Sequence, residues 1–191
     1  MKNSLLILMF LFTLKSFGQV SYDGQEIGVE GYAGGSNLGG AFGFELKHAS
    51  ILNKYIVVGP SFRYQRVWSN NYNVKTNINV WGGGVFAHYR IQNKLFVGTE
   101  FQMLRSPYNF VSYASNSKKW AASLMLGGGF YLKLGEKIRL NAALFYDVIN
   151  AQNSPFRTSY FFKVKNQQGQ IVKTLPLIYR ITFFIPIGST K

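Results

Sequence analysis

Two histidines, seven carboxylates and no cysteine are the material for chemistry in this 191-residue chain. Nucleophilic catalysis needs a nucleophile, a base and an orienting group within hydrogen-bond reach. The candidate nucleophiles Ser61, Ser112 and Ser123 have no histidine near them once the strands below are laid out. His48 and His88 both fall toward one rim. No His/Asp/Glu cluster has metal-ligand spacing. The lack of cysteine removes thiol chemistry, disulfides and thiolate metal sites. These residues point to no catalytic centre and to no cofactor, so the chain reads as a non-enzyme. What remains is charge, 21 Lys and Arg against 7 Asp and Glu, a formal net charge of +14. Its chemistry is pairing inside the fold and attraction outside it.

The elements that position those charges show most clearly in Val80–Leu104, two alternating runs joined by a polar turn at Gln92-Asn93-Lys94. On the second run Leu95, Val97, Thr99, Phe101 and Met103 point one way, and Phe96, Gly98, Glu100 and Gln102 the other. Such alternation is the strand signal, because side chains alternate across a pleated backbone. The unit recurs at Ser123–Val148, where the Gly82–Gly84 triplet returns as Gly127–Gly129 and the turn as Glu136-Lys137. A looser copy occupies Gly40–Tyr64. The repeat is a meander of hairpins.

Residues 1–18 read as a leader: Lys2, the apolar run Leu5–Leu14, then the small residues of Ser16-Phe17-Gly18, with cleavage before Gln19. The run is too short to span a bilayer as a helix, which needs about 20 residues. Removing the leader takes Lys2 and Lys15 with it and leaves residues 19–191 as one domain with net charge +12. Eight strands are predicted: Glu26–Tyr32, Gly40–His48, Tyr55–Trp68, Asn77–Arg90, Leu95–Leu104, Trp120–Lys133, Ile138–Val148 and Leu175–Pro186. Connections alternate short (49–54, 91–94, 134–137) and long (69–76, 105–119, 149–174), with a Gly-rich intermediate at 33–39. In the longest, Asn150–Pro155 reads as irregular. Ser159–Val164 and Gln170–Thr174 then read as a hairpin about Asn166–Gly169, with the last strand running unbroken from about Gln170 to Pro186.

One parity of each strand is apolar. The other holds Glu26, Glu30, Glu45, Lys47, Arg63, Gln65, Arg90, Glu100, Lys133, Arg139, Asn141, Asp147 and Arg180, interleaved with glycines. Five of the seven acidic residues lie on this second face. A soluble barrel would turn its apolar face inward around a ligand. Small residues beside charges of both signs suit the interior of a narrow barrel instead, with lipid against the apolar face. Pairs such as Glu100 with Arg139 or Arg63 read as structural ties. Eight strands enclose a space that side chains just fill, which disfavours a pore.

In strand number, loop alternation and charged interior, the whole chain after the leader resembles the small eight-stranded outer-membrane β-barrel proteins of the OmpX and OmpA membrane-domain kind. The resemblance implies an all-β, eight-stranded antiparallel up-and-down transmembrane β-barrel in the outer membrane of a gram-negative cell envelope. It rests on pattern, and the usual aromatic ending is displaced: Tyr179-x-Ile181-x-Phe183 alternates, yet the chain continues to Lys191. Interior ion pairs are assigned to Glu26, Glu30, Glu45, Arg63, Glu100, Arg139 and Arg180. Trp68, Trp81 and Trp120 all fall toward one rim, as in an aromatic girdle on the extracellular side. The long loops carry Lys75, Arg105, Lys118, Lys119, Arg157, Lys163, Lys165 and Lys173 without an acid. Two readings of those cations stand side by side: solubility of exposed loops, or contact with the anionic phosphates of lipopolysaccharide or with a membrane-protein partner, for which Lys118, Lys119, Arg157, Lys163, Lys165 and Lys173 are the candidates. Nucleic acid is not an expected partner of an exported barrel. The role implied is structural or surface-recognising, and the alternative is an anchoring subunit of a multi-protein secretion, uptake or insertion complex.

Overall fold

The computed structural model of the chain describes residues 24–187 apart from 37–38, 72–73, 92–93, 106–118, 136–137, 161 and 169–170. The expected leader, and most of the Gln92–Lys94 and Glu136-Lys137 turns, lie outside the described residues. The strands are β1 (Gly24–Ser36), β2 (Gly39–Ile51), β3 (Ile56–Asn71), β4 (Val74–Ile91), β5 (Leu95–Arg105), β6 (Trp120–Leu134), β7 (Ile138–Asp147), β8 (Phe162–Lys165), β9 (Ile171–Leu175) and β10 (Leu177–Ile187). Eight of them close into an antiparallel up-and-down barrel in which each strand pairs with its neighbours in sequence and β1 meets β10. The small β8–β9 sheet stands apart from it.

Local chemistry sets the short ends. At the β2–β3 turn the Asn53 Oδ1 accepts from the backbone N–H groups of Tyr55 and Ile56, at 2.8 and 2.9 Å, a side chain standing in for a turn carbonyl. After β6, Gly135 adopts φ +70°, a conformation that costs a residue with a Cβ.

The connections expected at 33–39 and 69–76 are largely strand, since β1 runs to Ser36 with β2 from Gly39 and β3 runs to Asn71 with β4 from Val74. The end of the barrel differs as well. The last strand does not run unbroken from the hairpin: it stops at Leu175 and restarts at Leu177. Pro176 has no N–H to give a ladder. Its carbonyl instead accepts from Asp147 N at 2.8 Å, which ties the break to the end of β7.

The two faces are sorted by polarity. Val85, Phe130 and Tyr179 are more than half exposed, at 59, 62 and 64%. Phe42, Phe62, Val97, Phe101, Leu126, Leu144, Ile181 and Ile185 share that outer face. Inside, Glu26, Glu45, Glu100 and Asp147 are almost wholly buried. The lumen also holds two apolar groups. One gathers Val80, Phe96, Leu104, Met125, Tyr131, Phe145 and Ile178, and the other Ala49, Val57, Phe86 and Phe184.

Candidate functional site

The interior charges are delivered by strands and meet at Arg180 of β10. Its Nε donates to both Glu30 oxygens, at 2.8 and 3.1 Å, while its two Nη groups reach Glu45 and Glu100. Arg63 of β3 bridges Glu30 at 2.9 Å and also Glu45. Lys47 of β2 donates to Glu100, and Gln102 Nε2 donates to Glu45 Oε1 at 2.7 Å. Three carboxylates thus face three basic side chains, Arg180, Arg63 and Lys47, a set that balances in formal charge. Neutrality matters here, because an uncompensated buried charge costs several kcal/mol (about 3–5 when one partner is removed). Nearer the short-turn end, Glu26 takes Arg90 at 2.6 Å and Arg139 at 2.8 Å.

All seven residues assigned to interior ion pairs therefore face the lumen, but two pairings differ from the expected ones. Arg139 binds Glu26 rather than Glu100, and Arg63 binds Glu30 and Glu45. Parity fixes the face of a residue but not its height, which depends on how the strands are staggered. Lys47, Arg90 and His88 complete the network without having been singled out as site residues. Lys47 and Arg90 carried a signal, their parity.

His88 is buried, with Nε2 3.2 Å from Glu100 Oε1. Its ring lies among Phe86, Phe96, Phe145 and Phe184. A Cβ on the facing Gly98 would sit 2.4 Å from the His88 ring, so glycine there makes the room. Its side-chain hydrogen-bond partner is Glu100, and His48 is exposed on the outer face. Among the described residues no group of three or more His, Cys, Asp or Glu is placed to hold a metal ion.

At the long-loop mouth the connection after β7 turns inward. Ser154, Phe156 and Tyr160 are buried against the barrel, the two rings joining the Val80–Leu104–Met125 group. A short 3-10 turn, Pro155–Thr158, is started by Ser154, whose hydroxyl accepts from Phe156 N at 3.3 Å. Tyr160 and Ser123 both donate to Asp147 Oδ2, at 2.8 and 2.7 Å. Arg63 lies over the Phe156 ring at 4.9 Å, so this cap rests on the charged network. Nothing in the loop's sequence marked that insertion. Pro155 and Phe156 follow no strand period.

Of the loop cations, Arg157 is half-buried and donates to the Asn150 carbonyl and to its Oδ1, at 3.1 and 2.8 Å. Lys119 is exposed, and Lys118 lies outside the described residues. Lys163 and Lys165 fall on β8 and Lys173 on β9, their side chains outside the described residues. Trp68, Trp81 and Trp120 are exposed at 38, 40 and 45% toward the long-loop end. Trp81 and Trp120 meet edge-to-face at 5.5 Å, with the Arg105 guanidinium 5.9 Å from the Trp81 ring.

The arrangement is a closed barrel whose core carries paired charges. No protein-family model matches the chain, and no curated protein and no solved structure matches it either.

Proposed function

We propose that the chain is a non-enzymatic integral outer-membrane β-barrel, exported by the leader at residues 1–18, with a structural or surface-recognition role. The observation that carries this reading is the inverted polarity of the wall. Large apolar side chains cover the outside while buried ion pairs fill the inside. A lipid hydrocarbon surround makes such a surface favourable, and only a closed sheet satisfies its backbone there. The exposed tryptophans at the long-loop end suit one membrane–water interface, and the basic long loops suit lipopolysaccharide phosphates just beyond it.

The purified chain should need detergent to stay soluble and should change mobility on gels after boiling in SDS. Solubility in plain buffer with unchanged mobility would replace this reading with a soluble barrel. A second reading, an anchoring subunit of a multi-protein outer-membrane complex, is favoured by the β8–β9 hairpin. It is a separate two-stranded sheet with Phe162 and Val164 exposed at 48 and 39%, and such an edge invites another chain. Replacing residues 162–174 by a Gly-Ser link leaves the buried Phe156 and Tyr160 in place. Partner recovery and lipopolysaccharide binding should fall while heat-modifiable folding survives. If neither falls, the hairpin plays no part in recognition.

A further inference from the structure

The outer wall of β3 to β6 changes character at one level. Below it the exposed side chains are apolar, as at Phe62, Val85, Phe101 and Met103. At it, toward the long loops, Tyr64, Trp81, Arg105 and Trp120 stand side by side across the four strands, through the pairs Tyr64↔Trp81, Trp81↔Arg105 and Arg105↔Trp120. Arg66 is the next outward residue after Tyr64 and opposes Asn79. Both arginines are exposed on this outer face.

Charge and geometry define what fits there. Every Asp and Glu among the described residues is buried in the lumen, so none of them meets Arg66 or Arg105. A guanidinium keeps its charge at any working pH, and a cation at the edge of hydrocarbon is costly unless an anion reaches it. Both side chains are held against the wall. Arg66 Nε donates to Asn77 Oδ1 at 3.0 Å, and the Arg105 guanidinium lies 5.9 Å from the Trp81 ring, within cation–π range. The Tyr64 hydroxyl donates to Asn79 Oδ1 at 3.1 Å and fixes that amide beside them. The two arginine backbones are about 12 Å apart, two strand spacings across and two residues along, a gap that two long side chains close over one phosphate. Guanidinium and phosphate match in bidentate hydrogen bonding. The exposed indoles of Trp81 and Trp120 give an apolar surface for a sugar ring carrying that phosphate, and the exposed Asn77 and Asn79 suit its hydroxyls.

We propose that Arg66 and Arg105, with Trp81 and Trp120, form a wall site for one phosphorylated sugar head group of an outer-leaflet glycolipid. Its acyl chains lie down the apolar wall below, over Phe62, Phe101 and Met103. The proposal rests on the outer-membrane reading and sharpens it, since the strand wall rather than the loop lysines supplies the phosphate contact. An acidic segment of a partner protein would also meet the arginines, but the apolar wall directly below them suits chains joined to the same head group.

The three tryptophans of the chain, Trp68, Trp81 and Trp120, all stand toward this rim, so their emission reports on the site. The test uses the chain from Gln19 onward, refolded in micelles of an uncharged detergent and titrated with bisphosphorylated lipid A in the same micelles. Emission should change saturably. The double substitution Arg66→Gln and Arg105→Gln should weaken apparent affinity at least about tenfold, as the loss of charged hydrogen bonds implies. Lys54→Gln removes an exposed cation from the β2–β3 turn at the other end of the barrel and should leave the affinity unchanged. Dephosphorylated lipid A, phosphatidylglycerol and inorganic phosphate should each bind at least about tenfold more weakly than lipid A. An undiminished affinity in the double variant would overturn the proposal, and so would an equal loss in Lys54→Gln, which is general charge attraction. Equal binding of phosphatidylglycerol, of dephosphorylated lipid A or of inorganic phosphate would also overturn it, as would displacement of lipid A by an equimolar polyglutamate peptide. Heat-modifiable mobility is read on the same samples: its retention confines a failure to this site, and its loss sinks the membrane reading itself.

Discussion

The middle of the lumen and its long-loop mouth are filled by different means. The middle is filled by strands alone: Glu30, Glu45, Arg63, Glu100 and Arg180 come from five different strands of the ring and tie them to one another. The mouth is filled by a loop, whose Phe156 and Tyr160 rings sit on Val80, Leu104 and Met125. The difference lies in the cost of error. A charged belt must balance as a whole, so losing one member strands the others. An apolar cap loses only the contacts of the missing ring, and the loop has freedom to settle into the space.

The sharpest way to break the belt is Arg180→Met. It removes the cation shared by Glu30, Glu45 and Glu100 and should lower stability by about 3–5 kcal/mol, read as an earlier urea midpoint in vesicles. A loss no larger than that of a cap variant would mean that the belt is not the barrel's main internal tie. Phe156→Ala tests the cap. The ring is buried, and the loss should be about 3 kcal/mol, the low end for such a truncation because a loop can collapse into the gap. The three tryptophans of the wall serve as the unfolding signal. Gly98→Ala comes next. The added methyl meets the His88 ring at 2.4 Å, and overpacking of this kind costs about 1–3 kcal/mol. His88→Ala should relieve it, and a double variant no more stable than Gly98→Ala alone would remove His88 as the cause.

The same contrast explains what the sequence revealed. The belt was legible because Glu30, Glu45, Glu100 and Arg180 sit at fixed parity on strands whose other face is apolar, and a pleated backbone turns parity into a face. Which carboxylate meets which cation was not legible, since Arg139 reaches Glu26 only through the stagger between distant strands. The cap was not legible at all. A loop phenylalanine has no period to say which surface it covers, and Phe156 meets Arg63 from far along the chain. Pro176 was the opposite case. Its missing N–H was visible in the sequence, and it ends the hairpin strand where a continuous one was expected.

The smallest effect belongs to Tyr160, where the cap is hydrogen-bonded to the wall. Its hydroxyl donates to Asp147. Burial, and then the Asp147 carboxylate, raise its pKa above the ordinary tyrosine value. The unfolded chain ionises this phenol near pH 10 and the folded chain only at higher pH. Stability from this group is therefore intact below about pH 10 and falls as pH rises beyond it. Tyr160→Phe should cost about 1 kcal/mol at neutral pH for the lost hydrogen bond and should flatten the alkaline limb of the stability profile. An unchanged limb would show that Tyr160 is already ionised or solvated in the folded protein. The cap would then be held by Phe156 and its ring contacts, without a polar latch to Asp147.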